Sequence, residues 1–319
     1  MPNKSILGKK DSSVAFLFPG QGAQSPGMGQ ELYNSSSAAR SVFHEVDMAL
    51  GRPLSKLLFA GSEDEIRETM NAQPAIMVVS LACHRAMEDE LDFDTMPHPS
   101  YLAGHSLGEY TALAVSGVLD LKDTARLVEE RGRLMQEACN QSSGTMAAIL
   151  GLDQMTLEEI CRETGTYVSN VNTVEQIVIS GERISVAQAL DLALARGAHK
   201  VIPLRVGGAF HSVLMEPARE GLLEAVRSLT FRDAEVPIVA NLTGVPLTRG
   251  KDIQKELIAQ ICGCVQWKQS VDYMINSGVS QFIEIGPGRA LCGMVKRIDR
   301  SAHVTSISDM ESITRLRMN

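Results

Sequence analysis

Gly104-His105-Ser106-Leu107-Gly108 fits the pattern G-x-S-x-G, in which a serine sits on a sharp turn between a strand and a helix. Flanking glycines let neighbouring backbone pass close to such a turn and leave the hydroxyl at its apex. The flanks agree, because SYLA before the motif is strand-like and EYTALAV after it opens a helix, with Gly117 as its C-cap. The chemistry open to this serine is nucleophilic attack on an acyl carbon; the alternative is a tight turn with a capping serine. At the start of the helix, the Leu107 N–H is the natural donor to a developing oxyanion.

A nucleophilic serine needs a base. Seven histidines are present. His105 abuts the serine, but its side chain is expected to point away from the apex. His211 stands in GGAFHS, where the chain leaves a predicted strand and re-enters the larger part of the fold, so it overlooks a cleft. It is the candidate base, against a structural loop histidine. His44, His84, His98, His199 and His303 have no such context and read as surface or packing residues.

Arg131 is the sharpest of the candidates. On LKDTARLVEERGRLMQEAC, at about 100° per residue, Leu121, Thr124, Ala125, Leu127, Val128, Leu134, Met135, Ala138 and Cys139 share one arc. Arg126, Glu129, Glu130, Arg133 and Glu137 take the opposite face, and Arg131 alone among the charged residues falls within the apolar arc. An inward arginine is costly unless an anion or several acceptors meet it. A buried Asp or Glu would satisfy it. So would a substrate carboxylate gripped by the guanidinium fork, which beside a nucleophilic serine means an acyl group ending in a free carboxylate.

Two glycine-rich loops follow strands. Pro19-Gly20-Gln21-Gly22-Ala23-Gln24 could bring a second backbone N–H to the oxyanion. Gly286-Pro287-Gly288 lacks the trailing Lys-Ser/Thr of a phosphate loop and reads as a turn, so neither implies a nucleotide cofactor. Cys262-Gly263-Cys264 is the one tight cysteine pair, and with no second pair at ligand spacing no metal is expected.

The elements that must position these residues alternate. VAFLFPG is a buried strand, and helical patterns cover Asp64–Met70, Ala75–Leu91 and 121–139. Between about 144 and 206 the order is TMAAILG strand, TLEEICRET helix, YVSNVN and EQIVISG strands closed by Gly181, SVAQALDLALARG helix and HKVIPLRV strand. That β-α-β-β-α-β order is ferredoxin-like. The α/β rhythm resumes with VPIVANLTG (236–244), a helix around 268–277 and QFIEIGPG. A large α/β unit (14–140 and 208–307) interrupted by a small α+β one (141–207) is predicted, with tails at 1–13 and 308–319 and a ligand cleft between the units.

The bulk numbers narrow the partners. A formal net charge of −8 argues against nucleic acid or an anionic membrane, while leaving room for a local basic patch. MPNKSILGKKDSS has no signal-peptide apolar run, no stretch is long enough to span a bilayer, and six irregularly spaced cysteines suit reduced thiols, so a cytoplasmic protein is expected.

With PGQGAQ, GHSLGEY, Arg131 and AFHS in this order, the chain resembles the malonyl-CoA:acyl-carrier-protein transacylases of fatty-acid synthesis and the related acyltransferase domains of polyketide synthases. The likeness runs from about Val14 to Ile307. It implies an α/β-hydrolase-like large subdomain with an inserted ferredoxin-like small subdomain. It further implies ping-pong transfer of malonyl from malonyl-CoA, through Ser106, to the phosphopantetheine thiol of an acyl carrier protein, by a monomer without a cofactor of its own. The family's base falls on His211, its carboxylate-binding arginine on Arg131, and its oxyanion donors on the N–H groups of Gln21 and Leu107. A backbone carbonyl orients the histidine in this family, and the matching position is Gln266 in CVQW. Gln73 and Asn172 match recurrent family positions. Phe210, directly before the histidine, gives the AFHS form associated with malonyl selectivity, since a bulky ring resists a methyl branch; such discrimination is worth about 1–3 kcal/mol. A serine thioesterase, a non-catalytic carrier-binding module and an acyltransferase for another acyl group are the rivals; the inward Arg131 disfavours the first and third, and the Ser106/His211 pair the second.

Overall fold

A computed structural model describes residues 13–317; the leader-free N-terminus expected from MPNKSILGKKDS therefore lies outside the described residues. The first strand, β1 (Ser13–Phe18), shows why an unbroken apolar run forms here. Val14, Phe16 and Phe18 face the main core, and Ala15 and Leu17 face a second core that contains Trp267 and Phe282. A strand covered on both faces has no polar side to alternate with.

Down the chain follow helix α1 (Ser37–Leu50), helix α2 (Thr69–Glu90), strand β2 (Pro99–Gly104), helix α3 (Gly108–Val115) and helix α4 (Leu121–Gln141). Next come β3 (Gly144–Leu150), α5 (Gln154–Thr164), β4 (Tyr167–Val171), β5 (Gln176–Glu182), α6 (Arg183–Ala195) and β6 (Lys200–Pro203). The chain closes with β7 (Ile238–Val239), β8 (Pro246–Leu247), α7 (Gly250–Gln260), α8 (Trp267–Asn276), β9 (Val279–Ile285), α9 (Ala290–Ile298), β10 (His303–Ile307) and α10 (Met310–Arg317).

Two sheets result. The larger has the order β10-β9-β1-β2-β7-β8, parallel from β10 to β7, with β8 antiparallel at the edge. The smaller has the order β4-β5-β3-β6 and is antiparallel throughout. This is the hydrolase-like α/β unit with a ferredoxin-like insertion. In β3 the two-residue period sends Ala147 and Ile149 to the helices of the small unit, where they pack with Leu157, Ile160 and Val186. Met146 and Ala148 point the other way and join the main core. Val265 extends the small sheet beside β4, with Val171 N–H donating to its carbonyl at 2.9 Å and its own N–H donating to Ser169 O at 2.9 Å.

Three expectations need correction. Residues 308–317 are not a tail: α10 buries Ile313 completely in the main core. The segment 236–244 is strand only at Ile238–Val239, and the rest is a turn that carries Asn241. Gly181 does not close β5 but pairs within it, opposite Thr145.

Candidate active site

Glycine makes the turn at Ser106 possible. A Cβ on Gly104 would overlap the backbone of Gly108, and one on Gly108 would overlap the carbonyl of Phe18 at the end of β1. Ser106 itself has φ 51°, and His211 has φ 58°; they are the two non-glycine residues with positive φ among those described. Left-handed backbone at such residues costs on the order of 1–3 kcal/mol each and persists where surrounding structure over-determines it. At Ser106 the restraint is visible. Asn241 Oδ1 accepts the Ser106 N–H at 2.7 Å, Asn241 Nδ2 donates to Gly104 O at 2.7 Å, and Gln260 Nε2 donates to Ser106 O at 2.8 Å.

His211 Nε2 lies 2.8 Å from Ser106 Oγ. Its Nδ1 faces two carbonyls, Gln260 O at 3.0 Å and Gly263 O at 3.1 Å. A nitrogen between two acceptors must carry the proton, so Nε2 presents its lone pair to the serine hydroxyl. The expectation for Gln266 is thereby corrected. Its carbonyl accepts the Ser270 N–H at 2.9 Å and the Ser270 hydroxyl at 3.1 Å, so it is occupied in the first turn of α8 and does not hold the histidine. Burial, the charge of Arg131 and the neighbouring His105 push His211 down to about 3, against the partial opposition of the two carbonyls. The ring is neutral at physiological pH and ready to accept a proton.

Arg131 is 1% exposed. Its Nη1 donates to Gln73 Oε1 at 2.6 Å, and its Nη2 to Ser106 Oγ and Gln260 Oε1, each at 3.1 Å. The guanidinium carbon stands 4.9 Å from the centroid of the Tyr110 ring. Gln73 reaches it because α2 and α4 approach closely at Gly132, where a Cβ would lie 3.0 Å from Thr69 O. Among the described residues no carboxylate forms an ion pair with Arg131. The buried Asp or Glu that could have explained an inward arginine is therefore missing from its contacts. Three neutral oxygens hold it instead, which leaves its charge available to an incoming anion.

A cleft of about 300 Å³ opens onto these groups. Gln21, Ser106, Phe210 and His211 line one side, and Met146, Ala148 and Val178 of the small sheet line the other. The backbone N–H groups of Gln21 and Leu107, the candidate oxyanion donors, donate to no backbone carbonyl among the described residues. His105 is turned aside as expected: its Nε2 pairs with Asn172 Oδ1 at 2.9 Å and its ring packs on Trp267. Asn172 thus braces the elbow from the position just after β4. Among the described residues no three His, Cys, Asp or Glu side chains form a metal cluster.

Sequence reasoning missed Gln260, Asn241 and Glu109. A signal existed for the first: on α7, Glu256 and Gln260 share the buried face of Ile253 and Leu257, the same anomaly that singles out Arg131.

A strained serine in contact with a neutral histidine, two open N–H groups and a cleft make a candidate serine-nucleophile acyl-transfer centre. The chain belongs to the acyl transferase domain family, whose model matches residues 15–319. It is 42% identical over 307 residues to the malonyl CoA-acyl carrier protein transacylase of Bacillus subtilis, covering 95% of each chain, and 35% identical to that of Staphylococcus aureus MRSA252, covering 95% of this chain and 97% of the relative. Among solved structures, the acyl-carrier-protein S-malonyltransferase of Bartonella henselae superposes with a TM-score of 0.91 at 39% identity, covering 96% of this chain and 99% of that one. A type II PKS acyl-carrier protein in complex with its malonyl-transacylase gives 0.92 at 36% identity, covering 97% of this chain and 100% of that one.

Proposed function

We propose that this chain transfers the malonyl group of malonyl-CoA to the phosphopantetheine thiol of an acyl carrier protein, supplying fatty-acid or polyketide elongation. The observation that carries this reading is Arg131: a fully buried guanidinium without a carboxylate partner, 3.1 Å from the candidate nucleophile. Similarity to malonyl-transacylases supports the same substrate and acceptor. The reading includes a cytoplasmic monomer with no resident cofactor. None of the described helices is long and apolar enough to cross a membrane. It also divides the chain at 141–207, on the strength of the separate core of the small sheet.

Each half-reaction uses the same groups. As Ser106 Oγ attacks the thioester carbon, His211 Nε2 takes its proton, and the carbonyl oxygen gains charge beside the Gln21 and Leu107 N–H groups. Collapse expels the CoA thiolate, which takes the proton back from His211. A carrier thiol then repeats the sequence on the malonyl-Ser106 ester. Arg131 grips the distal carboxylate throughout, with Gln73 and Gln260 fixing the plane of its fork. Phe210, 5% exposed and beside His211, closes the cleft against a branched acyl group.

Intact-mass measurement after mixing with malonyl-CoA tests the proposal. One malonyl adduct per chain is expected, absent from Ser106→Ala, with about one equivalent of CoA released until a carrier is added. Continuous CoA release without an acceptor would identify a thioesterase instead, and no adduct with any acyl-CoA would end the reading.

The carrier, expected to be acidic, needs a basic surface near the cleft. Helix α9 and its flanks supply both: Leu291 and Met294 line the cleft, Lys296 and Arg297 in the helix are exposed, and so are Arg289 just before it and Arg300 just after it. The helix is anchored from below by Glu284, which is fully buried on β9 and accepts the N–H groups of Leu291 (3.2 Å) and Cys292 (2.7 Å). Reversing charge at Lys296 and Arg297 is expected to raise the KM for the carrier by about tenfold, as rim charges act mainly on encounter. Acylation by malonyl-CoA stays unchanged. Equal carrier kinetics in variant and wild type would exclude this surface.

A further inference from the structure

Glu109 lies one helical turn after the nucleophile, at the start of α3, and is 2% exposed. It touches no reacting atom. One carboxyl oxygen accepts the backbone N–H of Asn241 at 3.1 Å, and the other accepts Gln260 Nε2 at 2.6 Å. Both partners run directly to the site. Asn241 holds the Ser106 N–H and the Gly104 carbonyl. Gln260 uses its second Nε2 hydrogen on Ser106 O, its Oε1 on Arg131 Nη2 and its backbone carbonyl on His211.

The placement of Gln260 between Glu109 and Arg131 has a chemical consequence. An acid and a base buried this close would ordinarily pair, and a paired arginine would have little charge left for a substrate. The amide interposes its donor end toward the acid and its acceptor end toward the base, so each is satisfied without touching the other. Its orientation is fixed, because turning the amide over would set its NH₂ against the guanidinium and the Ser106-facing acceptor against a carbonyl. The anchor for that orientation is the short bond to Glu109.

We propose that Glu109 is a positioning residue for acyl selection, locking Gln260 and Asn241 so that Arg131 is held unpaired and aimed at the carboxylate of the acyl group. This rests on the malonyl-transfer reading above. Burial and the nearby Glu256 push the Glu109 carboxyl well above the usual carboxylate range, against the opposing pull of its hydrogen bonds with Asn241 and Gln260 and of the Arg131 charge. Glu256, 7% exposed, accepts the Leu242 N–H at 2.8 Å on the far side of the same turn.

The test compares malonyl-CoA and acetyl-CoA as acyl donors to the full chain. In Glu109→Gln the new NH₂ meets either the Asn241 N–H or the Gln260 NH₂ donor to donor, so one link must break. The malonyl-to-acetyl ratio of kcat/KM is expected to fall by about tenfold, the scale of coupling within one hydrogen-bond network. In an Arg131→Ala background the same change leaves the ratio unaltered, because the arginine it aims is gone. A purely structural role would lower both donors in proportion, in both backgrounds, and would overturn the proposal. If Glu109→Gln does not fold, Gln260→Met cuts the same link from the other side, keeps the backbone carbonyl on His211 and is expected to lower the ratio likewise; an unchanged ratio there overturns the proposal equally. Failure of wild type to accept malonyl would instead remove the transfer reading, and this inference with it.

Discussion

His211→Ala is expected to slow acylation of Ser106 by about 10²–10⁴-fold, the usual contribution of a positioned general base. The serine keeps its turn and its contact with Arg131, but the hydroxyl proton has nowhere to go as the bond forms. The pH profile gives a second, sharper readout. An ordinary histidine titrates near 6.5, whereas burial, Arg131 and His105 push His211 down to about 3. The depressed value means that the basic form persists as pH falls, so the rate holds through pH 6 and 5 and drops only on approach to the lowered value. A sulfonyl fluoride that modifies Ser106 is the suitable probe, since it has no ionisable group of its own. In Arg131→Ala one of the depressing charges is gone, and the acid limb moves upward. An acid limb near 6.5 in the wild type would show that His211 is not the base, or that it is hydrated in solution.

Arg131→Ala is expected to invert the choice of acyl group. Loss of a buried, hydrogen-bonded charge contact with the substrate carboxylate costs about 2–5 kcal/mol, which is roughly 30-fold to over 1,000-fold in kcat/KM for malonyl-CoA. Acetyl-CoA is expected to gain, by about fivefold to over 100-fold. With acetyl bound, the wild-type guanidinium is shut in without an anion, and the variant no longer bears that penalty of about 1–3 kcal/mol. Single-turnover acylation with both donors checks the prediction. Parallel losses for both would mean that Arg131 serves the serine through its 3.1 Å contact and not the carboxylate.

Much of this site is written in residue types. Ser106 between glycines and Arg131 inside an apolar arc are local patterns, and the backbone physics that produces them acts over one turn or one helix. The glycine loop at Gln21 and the histidine after the inserted unit follow from element order. Gln266 did not survive, for an instructive reason: every residue has a carbonyl, so the acceptor that orients His211 leaves no mark in composition or spacing. Only the packing of α7 against the elbow decides that Gln260 and Gly263 are the ones that reach it. The last segment is equally unmarked in the sequence, because a short helix with one buried isoleucine has too little periodicity to distinguish it from a tail.

By itself, then, the sequence determined the candidate nucleophile's turn, the inward arginine, the ferredoxin-like order of the insertion and the buried strand β1, all of which depend on near neighbours. Tertiary structure decided what is joined across distance. It brought His211 to 2.8 Å from a serine 105 positions earlier, and placed Gln260 between Glu109 and Arg131. It also denied Arg131 the internal carboxylate that would have consumed its charge. A buried charge is read one way with a partner and another without, and the partner is a property of the fold.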